Sequence, residues 1–175
     1  VTESENPRPP GPIQGLTHLD AAGQARMVDV SQKGETLRRA RARARVELGP
    51  DLRRMLFEGR LPKGEALGVV RIAGIQGAKE TARLVPLCHP LALSGVEIGI
   101  ERAGDGAVEI TAEVRCTGPT GVEMEALTAV SVAALALYDM CKAVRKGIRI
   151  GPIELLEKSG GTSGDWRRGA EDGDA

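Results

Sequence analysis

Two carboxylates, Glu123 and Glu125, open the stretch Thr117 to Val144, and Asp139 and Lys142 close it. Carboxyl and ammonium groups at set places on one element are the equipment of proton transfer. Glu125 and Asp139 lie fourteen residues apart, so on a helix they fall within about 40° of one another, and Asp139 neighbours Lys142 three residues on. At about 1.5 Å per residue, however, Glu125 and Asp139 stand about 21 Å apart. One small ligand cannot reach both. Either one end alone is catalytic, or two copies of the chain bring opposite ends together in a composite site.

The element that must carry these groups is a buried helix. Ala126 to Tyr138 holds no charge and almost no polar group. Such a run is too short for a bilayer, which needs about 20 residues, and an all-round apolar helix belongs inside a core. Thr120 and Glu123 have the spacing of a capping box, and Glu125 suits the positive end of the helix dipole. Asp139 is awkward at the other end. Burial and the dipole would raise its pKa while Lys142 would lower it, and the residues alone leave the direction open.

The rest of the chain is read as the frame. Residues 1–15 form a Pro- and Gly-rich arm, 16–158 a single domain, and 159–175 a tail, both ends being expected to be flexible. Ala25 to Ser31 reads as a strand. Leu37 to Leu48 alternates strictly, Ala40, Ala42, Ala44, Val46 and Leu48 against Arg39, Arg41, Arg43 and Arg45, which is a strand with a solvated face. Arg38 alone falls on the apolar face, where an arginine needs an anionic partner. A short helix over about 51–58 follows, then a turn at Leu61 to Gly64 carrying Lys63, then a helix from Glu65 to Leu84. Gly74 to Lys79 lacks phosphate-loop spacing, and close helix packing explains its glycines better. Pro86 and Pro90 hold Leu87, Cys88 and His89 on a rigid turn. Val96 to Val114 alternates around a turn at Ala103 to Gly106, a hairpin with one buried face. Ile148 to Leu156 is the last strand. The order gives an α+β, ferredoxin-like antiparallel sheet with helices on one face.

Composition narrows the function. Phe57, Tyr138 and Trp166 are the only aromatic residues, and 24 Lys and Arg balance 24 Asp and Glu. Neither base-stacking rings nor a basic field is present, which argues against nucleic-acid and membrane partners. An anionic ligand must be held by a local cluster. Cys88, Cys116 and Cys141, an odd and scattered set, read as thiols of a reduced, cytoplasmic protein, and only His18 and His89 could join them at a metal, so no metal site is expected.

Taken together, GVEMEALTAVSVAALALYDMCKAV, IAGIQGAK, LVPLCHPL and LLEKSGG resemble the cyclic pyranopterin monophosphate synthase family from about Leu16 to Asp165. The resemblance implies a ferredoxin-like subunit in a hexamer, a trimer of dimers with sites at subunit interfaces. It implies a lyase of molybdenum cofactor biosynthesis that turns 3′,8-cyclo-7,8-dihydro-GTP into cyclic pyranopterin monophosphate and releases pyrophosphate. Asp139 matches the catalytic aspartate, and Lys63, Lys142 and Glu123 match further site positions. Leu87, Cys88, His89, Met124 and Glu125 match substrate contacts, and Arg38 and Lys158 match positions suited to gripping phosphate. The roles expected are proton transfer at Lys63 and Lys142, with Asp139 tuning Lys142. No redox cofactor is implied, and Mg²⁺ with the triphosphate is compatible. One departure stands out: Thr162 occupies a place where the family commonly has lysine. The alternative reading is a non-catalytic guanine-nucleotide-binding regulatory module.

Overall fold

The computed structural model describes residues 23–162 and 164–169. The N-terminal arm, His18 and the end of the tail lie outside them. The elements run β1 (Thr36–Glu47), α1 (Pro50–Phe57), α2 (Leu67–Lys79), α3 (Thr81–Leu84), β2 (Leu93–Ala103), β3 (Ala107–Gly118), α4 (Glu123–Cys141), β4 (Arg149–Ser159) and β5 (Trp166–Arg167). The sheet order is β2-β3-β1-β4-β5, and every pairing is antiparallel. Without α1, α3 and β5 this is the β-α-β-β-α-β arrangement expected from the sequence.

The strict alternation in β1 decides which face is which. Ala40, Ala42, Ala44 and Val46 are wholly buried. Against these small side chains lie Ala126, Ala129, Ala133 and Ala134 of α4, so an alanine-rich strand lets an alanine-rich helix approach closely. Val130 and Leu137, also fully buried, each contribute about 1.5–3 kcal/mol by leaving water. By length and composition α4 could span a bilayer, but just over half of it is buried inside this protein, as a core helix is. Helix α2 packs on α4 through Gly74 and Gly77. A Cβ on Gly77 would lie 2.8 Å from Val132 Cβ, and one on Gly74 would lie 3.3 Å from the Ala129 carbonyl of α4 and 2.9 Å from Ile98 Cδ1 of β2. Those glycines serve helix packing, as expected.

The opposite sheet face is an ion-pair lattice. Arg39 reaches Glu113 at 2.6 Å and Glu157 at 3.1 Å, while Arg43 reaches Glu154 at 2.7 Å. The alternating arginines thus form a solvated face, on which Arg39 and Arg43 are paired with glutamates within the sheet.

Four expectations are corrected. Ala25 to Ser31 forms no strand beyond an isolated bridge at Ala25. Val28 and Val30 are half-buried while Met27 and Asp29 are exposed, so the alternation reflects one-sided contact with a cavity rather than pairing in the sheet. The helix expected over Glu65 to Leu84 starts at Leu67 and breaks at Glu80, where the Thr81 hydroxyl donates back to the Ala78 carbonyl at 3.0 Å. The capping box is absent: the α4 N-cap is Val122 with no side-chain cap, and Glu123 is drawn instead to Lys158. Finally, where a flexible tail is expected from residue 159, the chain turns at Gly160 and Gly161, and Trp166 and Arg167 pair with Lys158 and Glu157.

Candidate active site

The C-terminal end of α4 carries a compact triad. Leu61, 5% exposed, anchors the turn after α1, and Gly64 at φ 87° reverses the chain there, presenting Lys63 to the helix end. Lys63 Nζ donates to Asp139 Oδ2 at 2.6 Å and to the Asp139 carbonyl at 2.9 Å. Lys142 Nζ meets Asp139 Oδ1 at 2.7 Å. Asp139 is exposed, so desolvation is too weak to raise its pKa. Hydrogen bonds from Lys142 and then Lys63 instead lower it to about 2. The direction that the sequence left open is therefore downward, and Asp139 is a fixed anion between two ammonium groups. In return Asp139 pushes the Lys142 pKa upward.

The N-terminal end of α4 borders a trough. One cavity of about 580 Å³ is lined by Val28, Val85, Leu87, Cys88, His89, Leu91, Met124 and Glu125 among others. A second of about 690 Å³ is lined by Arg38, Pro119, Lys158, Gly160, Gly161 and Thr162 among others. Lys33, Thr120, Gly121 and Glu123 border both, so the two cavities adjoin. Each has the size of a small-molecule site. The first is the more apolar and suits a ring, and the second suits an anion.

Within this trough the acid with a raised pKa is Glu125. It is 4% exposed, and burial is the largest cause of the upward shift. Burial, followed by the charge of Glu125, also raises the Cys88 and Cys116 thiols, so neither is prepared as a nucleophile. His89 Nε2 lies 2.8 Å from the Val28 carbonyl. A carbonyl oxygen only accepts, so Nε2 carries a proton and donates it to Val28.

Arg38 is on the buried face as its register requires, but its partners are not anionic. Its three nitrogens donate to the carbonyls of Gly118, Pro119 and Gly160 at 3.2–3.3 Å. This ties the ends of β1, β3 and β4 together and leaves part of the guanidinium on the trough wall. Lys158 meets Glu123 at 3.1 Å.

A single chain thus brings Arg38, Leu87, Cys88, His89, Glu123, Met124, Glu125 and Lys158 to one end of α4. It sets Lys63, Asp139 and Lys142 at the other. Sequence reasoning missed Lys33 and the wall formed by residues 28–34, because the alternation of Val28 and Val30 reads as a strand and nothing local marks Lys33 as facing a cavity. Among the described residues no three His, Cys, Asp or Glu side chains are grouped to hold a metal ion.

The model of the MoaC family matches residues 27–161. The chain is 57% identical over 160 residues to the cyclic pyranopterin monophosphate synthase of Chloroflexus aggregans, covering 90% of this chain and 96% of that protein. It is 53% identical over 161 residues to the synthase of the same name from Pelotomaculum thermopropionicum, covering 91% and 95%. For the namesake from Thermomicrobium roseum the figures are 57% over 154 residues, covering 87% and 93%.

Proposed function

The chain belongs to the MoaC family, and from that premise we propose that it is a cyclic pyranopterin monophosphate synthase of molybdenum cofactor biosynthesis. It acts as a lyase on 3′,8-cyclo-7,8-dihydro-GTP, rebuilding the purine ring into a pterin and closing a cyclic phosphate with loss of pyrophosphate. The observation that carries this reading is similarity over nearly the full length of named synthases, with the expected chemical groups at both ends of α4.

The site is completed by a second copy of the chain. Three observations support this. The two groups of residues are about 21 Å apart along one helix, too far for one ligand of nucleotide size to engage both reacting ends. The triad is open to solvent, and Lys63 and Lys142 have no substrate-sized cavity of their own among the cavities described. Ile72 at 70% and Leu135 at 62% exposure leave apolar surface on α2 and α4 for a partner to cover. A trimer of dimers satisfies these demands.

In such a site the ring lies against Leu87, Cys88, His89 and Met124, with Glu125 as the proton-holding acid. Lys63 and Lys142 exchange protons with the opening and closing ring, and Asp139 keeps Lys142 charged until its proton is needed. Arg38 and Lys158 lie where the triphosphate belongs and stabilise the charge that develops on departing pyrophosphate. The chemistry calls for no redox cofactor. Mg²⁺ would enter as the counter-ion of the triphosphate, and a reduced, cytoplasmic setting suits the free thiols.

Anaerobic incubation with the cyclised dihydro-GTP tests the reaction itself. Pyrophosphate and the pterin product are expected in equal amounts. Tight binding without release would favour a regulatory nucleotide-binding module instead.

A further inference from the structure

Residues 28–34 form the trough wall facing α4 while belonging to no helix or strand. Hydrogen bonds hold their shape: His89 Nε2 to the Val28 carbonyl at 2.8 Å, the Ser31 N–H to Asp29 Oδ1 at 2.9 Å, and the Lys33 N–H to the Val30 carbonyl at 3.0 Å. Lys33 is the only Lys or Arg among the described residues that borders both the ring-sized cavity and the more polar one. The other two cations of the polar cavity are engaged, Arg38 by three carbonyls and Lys158 by Glu123. Lys33 is exposed, and among the described residues no carboxylate pairs with it.

We propose that Lys33 is an anion-binding residue of this site, taking a phosphate oxygen of the substrate where the two cavities meet. The inference rests on the lyase reading for the identity of the substrate. The location follows from shape: a ligand with its ring in the apolar cavity and its phosphates in the polar one passes its first phosphates through the shared border. A compact, hydrated ammonium on a long stem suits that place, because it can follow the phosphate without first breaking an ion pair. The bond formed is charge-assisted and among the stronger hydrogen bonds available to a protein.

The test uses the full chain with Lys33→Ala, Lys33→Arg, and Lys33→Ala combined with Thr162→Lys, which returns a cation to the wall of the polar cavity. Two readouts are taken: binding of inorganic triphosphate, and KM and kcat for pyrophosphate release. Lys33→Ala is expected to weaken triphosphate binding and raise KM by about tenfold to a hundredfold, with kcat changed far less. Lys33→Arg and the double variant should recover most of that loss. Because Lys33 is exposed, thermal melting of Lys33→Ala should match the parent. Unchanged triphosphate binding and KM in Lys33→Ala would overturn the proposal, as would a parent that binds no triphosphate. A parent that binds triphosphate through Lys33 yet releases no pyrophosphate would leave the assignment standing and remove the lyase reading.

Discussion

Lys63 holds Asp139 twice, through the side-chain carboxylate at 2.6 Å and through the backbone carbonyl at 2.9 Å. The second bond satisfies an acceptor at the end of α4, so Lys63 fixes the helix terminus as well as its charge. Lys142 completes the arrangement from the other carboxylate oxygen.

The Asp139→Asn variant keeps the shape and removes the anion. Lys142 loses the partner that raises its pKa, so its titration, followed by NMR of labelled lysine, should move downward toward the ordinary lysine range. Turnover should fall, by up to about the 10²–10⁴ that a general acid or base contributes if Lys142 loses its proton-transfer role entirely. A Lys142 titration unmoved by the substitution would show that Asp139 does not tune it.

Asp139 also sets an acid limit. Its folded pKa of about 2 lies below the ordinary 3.8, so the folded chain holds this carboxylate ionised more strongly than the unfolded chain does. That stabilisation is fully present above about pH 4 and disappears as the pH falls toward 2. A carboxyl NMR titration should place the Asp139 midpoint well below those of free carboxylates.

Glu125 has the opposite sign. Its folded pKa lies above 4.5, so folding favours the protonated form, and stability declines as the pH rises from 4.5 through the folded value. Glu125→Gln mimics the neutral acid and should abolish that decline in chemical-denaturation curves measured across pH. It should also depress turnover. A parent curve without such a decline would mean that Glu125 is ionised at little cost.

Gly77→Ala should destabilise the fold. The added methyl would meet Val132 Cβ at 2.8 Å and the Thr128 carbonyl at 3.2 Å, and neither a β-branched side chain nor helix backbone yields easily. Overpacking costs about 1–3 kcal/mol, more than the helix preference of alanine, about 1 kcal/mol, returns. Thermal melting reads the difference.

Arg43→Ala, on the sheet face away from the helices, should change stability by less than about 1 kcal/mol and leave KM unaltered, as expected for an exposed ion pair. A raised KM would show that the arginine face binds ligand after all.

Much of this was legible in the residues. The period-two pattern of β1 gave both its faces and the inward placement of Arg38, because a half-buried strand imposes that alternation. The buried helix and the separation of its ends followed from composition and pitch alone. The failures were of two kinds. Glu123 looked like a cap because its spacing from Thr120 fits one, and only the tertiary position of Lys158 shows where that carboxylate turns. The Asp139 pKa depended on exposure and on Lys63, which is remote in sequence and invisible to any local pattern. Val28 and Val30 imitated a strand because a cavity wall also wants alternate apolar side chains.

The central claim, one lyase site assembled from opposite helix ends of two copies, is tested most directly by mixing two inactive variants. Glu125→Gln spoils the trough and Asp139→Asn spoils the triad. In a two-fold dimer containing one of each, one of the two sites receives both changes and the other receives neither. After unfolding and joint refolding at equal amounts, random pairing should restore about a quarter of the parent's pyrophosphate release. A mixture as inactive as its components would place the whole reaction within single chains and contradict the account.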